Sequence, residues 1–202
     1  MTEIGFRDNR QRKKERTNKS VVCTITGQKG MALFVIFGNM NSGKTHTCWL
    51  IHALLKNVGK RLNYSTHSAQ PDWTYSEVLQ HIEDRFHAPQ TTPNASDFWA
   101  LFEYKGKRIA IFSAGDYLHD DNWDITSFDD NLKWAEQNQI DHVICCTRSR
   151  KKANSTRKHV LDNYRLHVYR WYEKTATTVL AEQIADAQRI AIEVFTDIKE
   201  NC

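Results

Sequence analysis

The segment from Gly38 to Thr45, reading Gly-Asn-Met-Asn-Ser-Gly-Lys-Thr, constrains this chain more than any other because of what flanks it. Before it, Met31 to Phe37 is an unbroken apolar run, the pattern of a strand buried on both faces of a largely parallel sheet. After it, Cys48, Leu50, Ile51, Leu54, Leu55 and Val58 recur at helical spacing within Thr47 to Val58, with Gly59 as the expected cap. Gly38 and Gly43 permit a turn tight enough for successive backbone N–H groups to converge, with the positive end of a helix behind them. A strand, such a loop and a helix in that order build an anion cradle.

The rest of the chain alternates in the same manner. Lys60 to Thr66 is a second strand, and Tyr75 to Phe86 a helix with Val78, Leu79, Ile82 and Phe86 on one face. His87 to Asn94, with Pro89 and Pro93, is a loop. Phe98 to Tyr104 and Arg108 to Phe112 face each other across Lys105-Gly106 as an antiparallel hairpin. Phe128 to Gln137 is a helix, Asp141 to Thr147 an apolar strand, Leu166 to Tyr172 the last strand and Ala176 to Ile198 a long amphipathic helix. The order implies an α/β domain of three layers, its sheet mostly parallel with one antiparallel hairpin. Residues 29–202 form that domain, preceded by a basic arm at 1–28 that carries a short β-branched segment at Ser20 to Thr26.

Composition narrows the setting. With 202 residues and 40% hydrophobic content the chain builds one core of ordinary size. No stretch reaches the roughly 18 apolar residues of a membrane span, and the amino terminus is polar, so a cytoplasmic location is expected. The five cysteines show neither C-x-x-C pairs nor zinc-ligand spacing, so neither a disulfide framework nor a metal is indicated. Net charge is +4, concentrated in the arm (Arg7 to Lys19) and in Arg148 to Lys158. Each run suits either a solvated segment or contact with nucleic acid or an acidic partner.

Gly38 to Thr45 is a complete Walker A pattern, and with its flanking strand and helix it resembles the P-loop NTPase superfamily over most of residues 31–172. The resemblance implies binding of a Mg²⁺-nucleoside triphosphate, with hydrolysis or phosphoryl transfer. The cradle is then Gly38, Asn39, Asn41, Ser42, Gly43, Lys44, Thr45 and His46, with Lys44 reaching the β- and γ-phosphates and the Thr45 hydroxyl ligating Mg²⁺. Such proteins carry an acid at the end of a neighbouring strand. Here Arg108 to Phe112 runs into Ser113-Ala114-Gly115-Asp116, which makes Asp116 the expected second metal-sphere residue and Gly115 a γ-phosphate sensor. Asp120, Asp121 and Asp124 are alternatives. Hairpin and glycine switch resemble the GTPase-like branch, in which Thr91 or Thr92 would also meet magnesium. The strand at 143–146 nevertheless runs into Thr147-Arg148-Ser149-Arg150 and lacks the N/T-K-x-D motif that reads guanine, which favours ATP over GTP.

Arg148 follows the carboxyl end of a core strand, where ligands sit in open α/β sheets, and is the preferred catalytic arginine beside Lys44 and Asp116. Three functions fit these residues. The leading one is an ATPase that acts as a nucleotide-dependent switch toward a protein partner. The others are a nucleoside or nucleotide kinase with the basic loop as lid, and a nucleic-acid-associated ATPase using the basic arm.

Overall fold

A computed structural model describes residues 30–66, 72–115, 127–149 and 155–202. The strands are β1 (Ala32–Gly38), β2 (Lys60–Thr66), β3 (Phe98–Tyr104), β4 (Lys107–Phe112), β5 (His142–Arg148) and β6 (Val168–Lys174). The helices are α1 (Lys44–Val58), α2 (Tyr75–His87), α3 (Phe128–Gln137), α4 (Thr156–Asn163) and α5 (Leu180–Asn201). The expected arm at 1–28, including Ser20 to Thr26, lies outside the described residues, as do Asp116, Asp120, Asp121 and Asp124. Among the described residues no helix is long and apolar enough to cross a membrane.

All six strands form one sheet in the order β2-β3-β4-β5-β1-β6. β4, β5, β1 and β6 run parallel, and β3 is antiparallel to both its neighbours. The hairpin of β3 and β4 turns on Lys105 and Gly106, at φ of 51° and 74°. Both turn residues are left-handed, as a two-residue turn matching strand twist requires. The apolar runs of β1 and β5 fall at the sheet centre, where both faces need covering.

Alternation along the strands distributes side chains to two cores. On one face Phe34, Ile36, Ile111, Ile144 and Cys146 pack against α1, α2 and α5, with Trp49 of α1 fully buried among them. On the other, Leu33, Val35, Val143 and Cys145 pack against α3 and α4 through Leu132 and Val160. Helices on both faces make three layers, each stabilised by removing apolar surface from water at about 25 cal/mol per Å².

Two features depart from the pattern read in the sequence. The stretch at 156–163, read as part of a basic loop, is helix α4, opened by the Ser155 hydroxyl accepting from the Lys158 N–H. Its hydrophobic periodicity is weak because only Thr156 and Val160 are buried, so pattern alone does not expose it. The sheet also interposes β5 between β1 and β4, so that the 38–45 loop and the 113–115 segment leave strands that are not neighbours.

Candidate functional site

The glycine loop connects β1 to α1 at the carboxyl edge of the sheet. Asn41 adopts φ of 60° and Gly43 of 84°, and the left-handed Gly43 is the residue that turns the chain into α1. Gly43 provides no side-chain cap, so no side chain closes the start of α1, the end of a helix that attracts anions. The loop is also close-packed underneath. A Cβ on Gly38 would lie 2.5 Å from Ser42 Oγ and 2.7 Å from the Lys174 carbonyl oxygen. Ser42 Oγ is buried without a hydrogen-bond partner. Lys44 is 7% exposed, and its ammonium donates to the carbonyls of Asn39 at 2.9 Å and Gly38 at 3.4 Å.

Over this loop opens a cavity of about 470 Å³. Its floor is the loop from Asn41 to His46. Also lining it are Ile82, Arg85 and Phe86 of α2, Lys174 with Gln183 and Ala187 of α5, and Asn94, Asp97, Ser113 and Gly115. The volume falls within the range of small-molecule sites. The lining is mainly polar, with Ile82, Phe86 and Ala187 as apolar contributions from α2 and α5.

The carboxylate beside Thr45 is Asp97. Its Oδ1 accepts from the Thr45 hydroxyl and from the Ser113 hydroxyl, each at 3.0 Å. Ser113 is held in turn by the hairpin: its Oγ accepts from the Phe98 N–H at 2.8 Å and its N–H donates to the Phe98 carbonyl at 3.0 Å. The antiparallel register of β3 and β4 therefore brings the start of β3 to the end of β4. An acid just before β3 thus stands beside the Thr45 hydroxyl, whereas the acids expected from sequence all follow β4. The sequence carries a signal for it, since Asp97 immediately precedes the apolar strand of a hairpin whose turn fixes the register.

Gly115 lines the cavity, but its glycine identity has a packing cause. A Cβ there would lie 1.9 Å from the Cys146 carbonyl oxygen and 2.3 Å from its carbon. The segment lies flat on β5, and its Gly115 carbonyl accepts from the buried Thr156 hydroxyl at 2.7 Å. Because both clashing atoms are backbone, Gly115→Ala is expected to cost about 3 kcal/mol of stability, the upper range for overpacking. Urea unfolding at equilibrium measures it. A loss below about 0.5 kcal/mol, within the range of a neutral surface change, would mean that this segment does not rest on β5.

Arg148 stands at the end of β5, in register with Gly38. It is not among the cavity-lining residues, and its guanidinium reaches Met40 Sδ at the outer side of the loop at 3.8 Å. Arg85, a single basic residue in the last turn of α2, does line the cavity. Its guanidinium donates to the carbonyls of Pro89 and Thr92, tying α2 to the loop that leads to Asp97. Thr91 and Thr92 direct their hydroxyls to the carbonyls of Ala88 and Asp84 at the end of α2 rather than to the cavity. His46 meets His81 at 2.9 Å between Nε2 and Nδ1. Burial first, then the neighbouring His81, push the His46 pKa down to about 3, so the ring is neutral near pH 7.

This arrangement is chemically suited to an anion with a divalent cation. Among the described residues no group of three or more His, Cys, Asp or Glu side chains is gathered as a metal cage. Mg²⁺ does not need one, since it keeps several waters and takes one or two protein oxygens together with phosphate. The Thr45 hydroxyl and Asp97 carboxylate fit that donor set, and the glycine loop with its uncapped helix fits the phosphate.

The sequence matches no protein-family model, and searches of curated proteins and of solved structures likewise return no match.

Proposed function

We propose that this chain is a P-loop nucleotide-binding protein that binds a Mg²⁺-nucleoside triphosphate, ATP before GTP, and hydrolyses it. The observation that carries the reading is the bond between Thr45 and Asp97 beside the 38–45 loop, which sets a hydroxyl and a carboxylate at a helix start that no side chain caps. Backbone N–H groups of the loop and the Lys44 ammonium bind and orient the phosphates. Bound Mg²⁺ neutralises phosphate charge and so eases attack on the terminal phosphorus. Asp97 holds the Thr45 hydroxyl in place and orients water near the metal. Arg85, which lines the same cavity, supplies a fixed cation to it.

Hydrolysis is preferred to transfer to a small-molecule acceptor because, among the described residues, neither Arg148 nor Arg157 lines the cavity. A protein that reads the nucleotide state, and nucleic acid meeting the basic arm, are the partner classes that suit such an ATPase. Incubation with γ-labelled ATP, Mg²⁺ and a panel of nucleosides tests the choice. Free labelled phosphate, released without the nucleosides and faster from ATP than from GTP, is the expected result. Label appearing in a nucleoside monophosphate would replace hydrolysis by kinase activity, and release of neither would overturn catalysis.

A further inference from the structure

The end of β6 carries a lysine packed against the glycine loop. Lys174 lies opposite Gly38 in the pairing of β1 and β6, and its side chain is 1% exposed. Its Cε would lie 3.5 Å from a Cβ on Gly43, the residue that opens α1. It borders the same cavity as Lys44. Two cationic side chains therefore flank the uncapped start of one helix. A buried ammonium is costly unless paired. Lys174 solves this by donating to Asp186 Oδ2 at 2.9 Å and to the Gln183 carbonyl at 3.2 Å, both on α5.

The carboxylate that holds it does not depend on it. Asp186 Oδ2 also accepts from the Thr175 N–H at 3.0 Å, and Oδ1 accepts from Arg189 at 2.5 Å. If Lys174 turns away, Asp186 keeps a guanidinium and a backbone donor and is not left as an orphan charge. Burial foremost pulls the Lys174 pKa below its usual value, against the pull of Asp186, which marks a site where added negative charge is welcome.

We propose that Lys174 is a second phosphate-binding cation, which exchanges its bond to Asp186 for a phosphate oxygen when nucleotide fills the cavity and thereby links occupancy to the start of α5. The inference rests on the nucleotide reading above and adds a residue on β6 to it. A purely structural ion pair between β6 and α5 makes a different forecast. Removing either partner then destabilises the chain and leaves affinity unchanged, or lowers it for both.

Calorimetric titration of full-length wild type, Lys44→Ala, Lys174→Met and Asp186→Asn with Mg²⁺-ATP separates the two. Loss of one charge-assisted bond predicts affinity about 10- to 100-fold weaker in Lys174→Met. Release of the ammonium from its holder predicts affinity several-fold tighter in Asp186→Asn, roughly threefold or more. Opposite signs in the two variants support the proposal. Wild-type affinity in Lys174→Met, or weakening in both variants, overturns it while leaving the nucleotide reading intact. No heat or competition from Mg²⁺-ATP in wild type itself overturns both. Should Lys174→Met not fold, as judged by its circular dichroism, Asp186→Asn decides by the sign of its change.

Discussion

Lys44→Ala is expected to weaken Mg²⁺-nucleotide binding by at least about 100-fold and to leave turnover undetectable, while the chain still folds. The direction follows from placement. Lys44 is the first residue of α1, buried in the cavity floor, and its ammonium already points along the loop to the Asn39 and Gly38 carbonyls. Charge-assisted bonds to phosphate in such a site contribute about 1.5 to 3 kcal/mol each, and an ammonium that meets two phosphate groups makes more than one of them. The structural cost of truncation is smaller, because the loop conformation is set by Asn41 and Gly43 and by packing on β6. Fluorescence or calorimetric titration measures the binding, and a melting curve of the same sample checks the fold. Unchanged affinity in a folded variant sinks the nucleotide reading.

Asp97→Asn should behave differently, losing turnover by about 100-fold or more while nucleotide affinity falls far less, since metal-assisted charge stabilisation is worth several kcal/mol at the transition state. The amide keeps an acceptor oxygen for the Thr45 and Ser113 hydroxyls, so the polar chain that joins α1, β3 and β4 is retained. What it loses is the negative charge beside the Thr45 hydroxyl. Phosphate release measured across a Mg²⁺ titration reads this out. The expected curve has a lower plateau and a midpoint shifted to higher Mg²⁺. Wild-type turnover in Asp97→Asn would return the metal role to Asp116, and the same assay on Asp116→Asn would then show the deficit.

The difference between the two acids illustrates what local pattern can carry. A residue that follows a strand, as Asp116 follows Arg108 to Phe112, is legible along the chain. Asp97 precedes a strand, and its importance depends on which end of that strand meets the glycine loop. The turn at Lys105 and Gly106 fixes that end by pairing Phe98 with Ser113 across the hairpin. Arg85 and Lys174 were hidden for a related reason. Each is one basic residue on an ordinary element, Arg85 in the last turn of a helix and Lys174 at the end of a strand. Only the docking of α2 and β6 near the start of α1 places either on the cavity. Arg148 shows the converse, since its strand lies beside β1 but its guanidinium reaches the outer side of the loop.

The sequence by itself determined the buried central strands, the hairpin, the two-faced burial that demands helices on both sides of the sheet, and the loop from Gly38 to Thr45. These depend on period, apolar runs and glycine placement, interactions between residues close in the chain. The tertiary structure alone decided that β5 separates β1 from β4, that Gly115 is a glycine because it lies on Cys146, and that Asp97, Arg85 and Lys174 surround the loop. Strand order and wall composition arise from contacts between segments tens of residues apart, where hydrophobic pattern specifies burial but not neighbour. The cradle is written in adjacent residues; the side chains that would use what it holds are gathered only by the fold.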